Sequence, residues 1–205
     1  KRRTKHEIHN YVPDEHIGHN QLIYHKSLAH TRLLFGGNQS GKSHAAAYDL
    51  CCHARGINPW GVPEITGRNV EIWSISPLYV TVKTGIYRHM KRIMPDWDTQ
   101  KEGPKVVGHE LPSYIRIRRT DGYETTISLL STQGENRDKF QAAAVDYVYI
   151  DEEIERLVWE ELQYRVLATA GRFSISATLV ESYDWILDLE ERAEKGDPDV
   201  FITRL

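Results

Sequence analysis

The amino-acid sequence predicts an α/β fold in which helices flank a mostly parallel central sheet that carries a β-hairpin insertion. Short apolar runs, which are typical of buried strands, alternate along the chain with longer segments that are typical of helices. Clusters of glycine and proline separate these segments. The pair Asp121-Gly122 favours a tight type I′ turn between two further strand-like runs and therefore indicates the hairpin.

The predicted elements follow one another in a regular order. Strands are expected at 32–35, 70–75, 145–150, 173–178 and 200–203. Helices are expected at 42–55, 81–94, 154–170 and 183–194. The hairpin strands are expected at 114–119 and 123–130, and loops at 56–69 and 95–113. Strands that are joined through helices run parallel, so this order predicts one parallel sheet covered on both faces.

Length and composition are typical of one soluble globular domain. The 205 residues are 40% hydrophobic and 27% charged, and no apolar run reaches the ~18 residues that a membrane span needs. The formal net charge of −3 excludes a uniformly basic protein that coats nucleic acid, so contact with DNA requires a local patch. The adjacent cysteines Cys51 and Cys52 exclude a disulfide scaffold and a four-cysteine zinc site, which favours a reducing cytoplasm.

The most specific motif is a phosphate-binding loop between a predicted strand and a predicted helix. Its residues are, in order, Gly36, Gly37, Asn38, Gln39, Ser40, Gly41, Lys42 and Ser43. They match the pattern G-x-x-x-x-G-K-[ST], in which glycines let backbone N–H groups close around phosphate oxygens at a helix N-terminus. Lys42 would reach the β- and γ-phosphates of a nucleotide, and the Ser43 hydroxyl would bind Mg²⁺. The motif is a Walker A loop and predicts a P-loop NTPase.

An apolar strand that ends in carboxylates predicts the second half of this site, the Walker B motif. Asp151 is expected at the edge of the sheet beside the phosphate loop, where it would hold Mg²⁺ through water. Glu152 would orient or deprotonate an attacking water. Alternatively, Glu152 and Glu153 are carboxylates that the dipole of a helix N-terminus favours, and for Glu153 this interpretation is preferred. A glutamate next to the Walker B aspartate, with an additional strand at 70–75, indicates the motor-type class of P-loop ATPases.

Two further segments accompany these motifs. Asn20-Gln21-Leu22-Ile23-Tyr24-His25 precedes the phosphate loop, and Ser176-Ala177-Thr178 follows the Walker B strand. With the loop at 36–43 and the strand end at 149–153, they resemble the ATPase domain of a bacteriophage large terminase, the motor subunit that packages DNA into capsids. The resemblance implies an N-terminal arm with an adenine-binding element at 1–30 and a P-loop ATPase core at 31–205, without the family's C-terminal nuclease domain.

The resemblance also implies roles for three residues outside the Walker motifs. Gln21 would read adenine through two amide contacts, and the alternative is a surface glutamine on a helix. Ser176 and Thr178 would couple hydrolysis to movement, and the alternative is that they only favour strand and turn formation.

One arginine is still required, because guanidinium groups stabilise the charge that develops when a γ-phosphate is transferred. Many terminases carry an arginine inside the phosphate loop, where this chain has Asn38 and Gln39. Arg137 is the first candidate, because a loop arginine can project into a neighbouring subunit of a ring. Arg165 and Arg172 are the other candidates.

The activity that the resemblance implies is ATP hydrolysis with Mg²⁺ that moves double-stranded DNA into a capsid. The implied partners are DNA, the capsid portal, the small terminase subunit and further copies of the chain in a homo-oligomeric ring, in the host cytoplasm and without a membrane. Arg116, Arg118 and Arg119 of the hairpin are candidate contacts to DNA phosphates, and solvated edge charges are the alternative. A helicase-like nucleic-acid-dependent ATPase and a nucleotide-switched assembly module remain alternative functions.

Overall fold

A computed structural model describes residues 8, 11–13, 20–57, 59–94, 99–133, 140, 144–178 and 184–205. In this part of the chain the strands are β1 Thr31–Phe35, β2 Val70–Ser76, β3 Thr99–Glu102, β4 Tyr114–Arg118, β5 Glu124–Ser131, β6 Tyr147–Asp151, β7 Arg172–Ala177 and β8 Val200–Arg204. The α-helices are α1 Asn20–Lys26, α2 Lys42–Arg55, α3 Tyr79–Val82, α4 Arg88–Ile93, α5 Arg156–Leu167 and α6 Asp184–Glu194, and a π-helical turn, Lys83–Tyr87, joins α3 to α4.

The strands of the described residues form one eight-stranded sheet in the order β3-β4-β5-β2-β6-β7-β1-β8. From β5 to β8 all neighbouring strands are parallel, whereas β4 pairs antiparallel with β5 and β3 antiparallel with β4. The prediction of a mostly parallel α/β sheet is therefore confirmed. Since parallel strands end at the same edge, the residues that follow β1, β6 and β7 are brought together there.

Both faces of the parallel strands are buried under helices. Successive residues of β6 point to opposite faces, so Tyr147 and Tyr149 pack in the cluster that contains α2 and α4. Val148 and Ile150 pack in the other cluster, with α5 and α6. Cys51 and Cys52 are buried free thiols in the first cluster, as expected. No helix in the described part of the chain combines the length and the apolar character that crossing a membrane requires.

Three predictions about local structure were wrong. The segment at 95–113 contains the edge strand β3 and is not only a loop. Helix α5 begins at Arg156 and not at 154, so Glu153 lies further from the helix N-terminus than expected. Arg119 does not project to solvent: it is buried and donates hydrogen bonds to the carbonyl oxygens of His53 and Ile65, so it is not available to DNA.

The helix expected at 81–94 is interrupted. Gly85, within the π-helical turn, has φ −89° and ψ −113°, which is outside the helical region. A turn of this kind inside a helix commonly marks a functional site. It follows β2 directly along the chain and is therefore close to the carboxyl edge of the sheet.

A buried ion pair connects β1 to α2. The Arg32 guanidinium donates to both carboxylate oxygens of Asp49, at 3.3 Å and 2.6 Å, and both residues are buried. Burial alone would raise the pKa of Asp49, but Arg32 and His53 outweigh burial and hold this pKa well below its usual value. Tyr149 of β6 also donates to Asp49, at 2.8 Å. One carboxylate thus joins β1, α2 and β6 beneath the phosphate loop.

We expect Arg32→Met to destabilise the protein by about 3–5 kcal/mol, because methionine fills similar volume but leaves the Asp49 carboxylate buried without its main partner. The free energy of unfolding from urea denaturation measures this loss. Arg156→Met, which removes the exposed pairs of Arg156 with Glu160 and Asp188, is the control and is expected to have little effect. Equal stability of the two variants would contradict a structural role for the buried pair.

Candidate active site

The phosphate loop closes between β1 and α2 as predicted. Gly41 stands before the first turn of α2 with φ 91°, a left-handed conformation that glycine adopts without strain. Gly36 lies close to Ser40: a Cβ on Gly36 would be 2.5 Å from the Ser40 hydroxyl. That hydroxyl is buried and has no hydrogen-bond partner among the described residues. A tightly wound loop with an unsatisfied donor suits an anion such as phosphate.

Thr178 connects the two predicted catalytic side chains. Lys42 Nζ donates to the Thr178 hydroxyl at 3.0 Å and to the Gly37 carbonyl at 2.9 Å. The Glu152 carboxylate accepts from the Thr178 backbone N–H at 3.0 Å and from its hydroxyl at 3.2 Å. The residue that directly follows β7 therefore contacts both Lys42 and Glu152.

Ser43, Asp151 and Ser176 form a second contact set at the same edge. Asp151 Oδ1 accepts from the Ser43 hydroxyl at 2.9 Å and from the Ser176 hydroxyl at 2.7 Å. Asp151 is buried, and burial raises its pKa despite these hydrogen bonds. A buried carboxylate beside a serine hydroxyl is an all-oxygen donor set of the kind that Mg²⁺ prefers, and a bound cation would favour the ionised carboxylate.

Gly85 lies beside Asp151 Oδ2, whereas Ser43 and Ser176 donate to Oδ1. A Cβ on Gly85 would lie 2.3 Å from Asp151 Oδ2, which is far inside the contact distance of two atoms. Any larger residue at this position would therefore have to displace the carboxylate. An isolated glycine inside a helical pattern, as at Gly85, indicates a close contact or a functional role. The sequence does not show that the contact is with Asp151.

The backbone turns sharply at Glu152. Its φ is 73°, in the left-handed region that non-glycine residues rarely adopt, and its N–H donates to the Ser176 carbonyl at 2.7 Å. Such a conformation costs of order 1–3 kcal/mol and persists where the surrounding structure fixes it. Here the turn places the carboxylate where it accepts both hydrogen bonds from Thr178.

Gln21 lies beside the phosphate loop. Its Nε2 would be 2.9 Å from a Cβ on Gly41, and its Oε1 accepts from the Tyr11 hydroxyl at 3.2 Å. The side chain is buried on α1, so the alternative of a surface glutamine is wrong, whereas adenine reading stays a prediction. The sequence did not predict a role for Tyr11 at this site. Its contact with Gln21 joins residues ten positions apart, and no motif contains both.

Of the three candidate arginines, Arg165 and Arg172 are not part of this cluster. Arg137 lies outside the described residues. Arg172 is the first residue of β7, about 17 Å of strand before the edge that holds the phosphate loop. Arg165 also lies at the far end, where its carbonyl accepts from the N–H of Val145. Arg165 and Arg172 therefore lie too far away to contact the phosphate loop of their own chain.

Comparison with solved structures shows the same fold in large terminases. The ATPase domain of the large terminase from Thermus phage P74-26 has a TM-score of 0.61 and 19% identity, over 89% of this chain and 71% of that chain. A large terminase from a thermophilic bacteriophage has a TM-score of 0.71 and 10% identity, over 90% of this chain and 44% of that one. Another crystal form of it, in complex with ADP, has a TM-score of 0.61 and 9% identity.

Sequence comparison identifies the family. No curated protein sequence matches the chain at a significant level. The family model for the N-terminal part of the terminase large subunit, T4likevirus-type, matches residues 33–188, which is more than half of the chain. The predicted resemblance is thereby confirmed, and the chain belongs to the terminase large subunit family, homologous to its ATPase domains.

Proposed function

We propose that the chain hydrolyses ATP and that this hydrolysis moves double-stranded DNA into a capsid. Membership of the terminase large subunit family supports the role in packaging. The main support for hydrolysis is the contact that Thr178 makes with both Lys42 and Glu152. A site that only binds nucleotide needs the lysine, whereas a glutamate fixed at the same threonine suits the activation of water.

The residues of the site are proposed to have separate roles in binding phosphate, binding metal and activating water. Lys42 and the N–H groups of the loop at 36–43 hold the phosphates of ATP. Ser43 and Asp151 would hold Mg²⁺, and a bound Mg²⁺ would supply positive charge that neutralises the phosphates. Glu152 orients the attacking water and accepts its proton. Gln21 binds the adenine base from α1.

Ser176 and Thr178 are proposed to couple the chemistry to movement. Ser176 lies in β7 and Thr178 directly follows that strand, and they contact Asp151, the proposed metal ligand, and Glu152, the proposed base, respectively. ATP would displace the hydrogen bond of Lys42 to Thr178, and this bond would form again when the γ-phosphate leaves. Strand β7, which ends beside Thr178, is the element that would transmit this change.

Assembly is proposed to complete the site. The Walker A loop contains a lysine and no arginine, so we assign the missing guanidinium to Arg137 of a neighbouring copy in a homo-oligomeric ring. An arginine supplied in this way typically accelerates hydrolysis by ~10³–10⁵. The capsid portal, the small terminase subunit and double-stranded DNA are the other proposed partners.

We expect Gly85→Ala to raise the Mg²⁺ concentration that supports half-maximal ATP hydrolysis by roughly 10-fold. The added Cβ would push the Asp151 carboxylate away from the Ser43 and Ser176 hydroxyls, and displaced neighbours of metal ligands typically cost this much in affinity. A titration of activity with Mg²⁺ measures the shift. Thr84→Ala, an exposed change in the same turn, is the control, and equal Mg²⁺ curves for the two variants would contradict the role of Gly85.

Phosphate release by the unmodified chain tests the proposed function directly. We expect turnover of ATP that stops when EDTA removes Mg²⁺ and that rises on addition of double-stranded DNA under conditions that favour assembly. Nucleotide binding without turnover in any of these conditions would contradict hydrolysis and would favour a nucleotide-switched module. Stimulation by single-stranded nucleic acid alone would instead favour the helicase-like alternative.

A further inference from the structure

Tyr11 contacts the proposed adenine-binding side chain and a buried histidine with the same hydroxyl. Tyr11 Oη donates to Gln21 Oε1 at 3.2 Å and lies 3.0 Å from His25 Nε2. Gln21 and His25 are four residues apart on α1, so they lie on the same side of that helix. Tyr11 precedes α1 in the chain and joins these two side chains.

The histidine is itself anchored deep in the protein. His25 is completely buried, and its Nδ1 lies 3.4 Å from Asp49 Oδ1. Asp49 is fixed by the two hydrogen bonds from Arg32 and the one from Tyr149. A continuous series of polar contacts therefore runs from Gln21 through Tyr11 and His25 to the ion pair beneath the phosphate loop.

Packing holds the Tyr11 ring as well as its hydroxyl. The ring stacks on that of Tyr48 from α2, with centroids 3.9 Å apart and an angle of 20° between the planes. Tyr48 is buried, so the ring rests on the helix that starts at the phosphate loop. A stacked ring with a shared hydroxyl has little rotational freedom, whereas a glutamine side chain by itself has several rotatable bonds.

The orientation of a glutamine carboxamide decides which base it recognises. Adenine offers a donor at N6 beside an acceptor at N7, which suits the acceptor and donor of one amide, whereas guanine offers acceptors at both O6 and N7. An amide that rotates freely can meet the hydrogen-bond pattern of either base, but binding then costs the conformational entropy of fixing the side chain. A fixed amide distinguishes the two bases.

We propose that Tyr11 is a positioning residue for base recognition, which holds the Gln21 carboxamide in the orientation that selects adenine over guanine. The proposal rests on the proposed function, since it takes Gln21 as the residue that meets the base. His25 and Asp49 anchor Tyr11, and the hydroxyl of Tyr11 is the group that acts on Gln21.

Tyr11→Phe tests this, because it removes the hydroxyl and keeps the ring that stacks on Tyr48. We expect the Kd for ADP to rise roughly 10-fold while the Kd for GDP stays within about twofold, as a good amide–base contact is worth about this much in discrimination. In the ATPase assay the KM for ATP should rise and kcat should stay unchanged. Tyr123→Phe, which removes an exposed hydroxyl beside the hairpin turn, is the matched control and should alter neither constant.

A double-mutant cycle shows whether Tyr11 acts through Gln21. Gln21→Ala should lose the preference for ADP, and adding Tyr11→Phe to it should change nothing further, because the group that Tyr11 positions is gone. Equal weakening of ADP and GDP binding by Tyr11→Phe, a further loss in the Gln21→Ala background, or no preference for ADP in the unmodified chain would each overturn the proposal. Calorimetric binding of ADP and GDP needs no turnover, so failure of ATP hydrolysis would be seen separately.

Discussion

Replacing Glu152 with glutamine is expected to lower kcat for ATP by at least ~10²–10⁴, the range that a general base contributes, while ADP affinity changes little. Glutamine has the shape of glutamate but cannot accept a proton from water. Its amide group also cannot accept from both the N–H and the hydroxyl of Thr178, as the Glu152 carboxylate does. Single-turnover hydrolysis and equilibrium ADP binding, measured on the same preparation, separate the two effects.

Glu153→Gln is the matched control for this substitution. Both changes remove one charge from adjacent positions, but only the Glu152 carboxylate accepts hydrogen bonds from Thr178. We expect Glu153→Gln to keep most of the wild-type rate. If Glu153→Gln collapses turnover and Glu152→Gln does not, the catalytic base is Glu153.

The second large effect is expected from Lys42→Ala. The ammonium group is buried at the phosphate loop, where it bonds to Gly37 and Thr178 and where the β- and γ-phosphates of ATP would replace these partners. Loss of a preorganised charged donor typically costs ~10²–10³ in rate, and here affinity should fall as well. The ratio kcat/KM for ATP is the measured quantity, and it is expected to fall at least ~10²-fold.

Lys195→Ala is the control for the loss of a positive charge. Lys195 pairs with Glu191 on the surface of α6, at the end of the helix, and its removal should leave kcat/KM unchanged. The melting temperature of Lys42→Ala should be measured alongside, because its alanine leaves the Thr178 hydroxyl with one partner fewer. A folded Lys42→Ala protein that turns over ATP at a rate near that of the wild type would show that nucleotide binds elsewhere.

Local sequence patterns were sufficient for the central part of the fold and of the site. The phosphate loop and the strand before Asp151 have contiguous signatures, because glycine spacing and apolar runs specify their backbone directly. The order of the parallel strands follows once helices are known to join them. Lys42, Asp151 and Thr178 lie close together because strands β1 and β6 both neighbour β7 in the sheet.

The remaining features depend on contacts between distant segments. Strand β3, Thr99–Glu102, is polar and forms only because it pairs antiparallel with β4 at the edge of the sheet. Arg119 looks like a surface arginine in sequence but finds carbonyl partners on α2 and in the loop at 56–69. Gly85 against Asp151 and Tyr11 against Gln21 are likewise neighbours in space only, so no local pattern predicts them.

The left-handed backbone at Glu152 costs folding free energy at the residue that carries the proposed catalytic carboxylate. A glycine at that position would adopt the left-handed conformation without strain, yet it would remove the carboxylate that accepts two hydrogen bonds from Thr178. The backbone strain is thus retained at the residue on which hydrolysis is proposed to depend. Stabilising this chain without harming its activity requires changes at other positions.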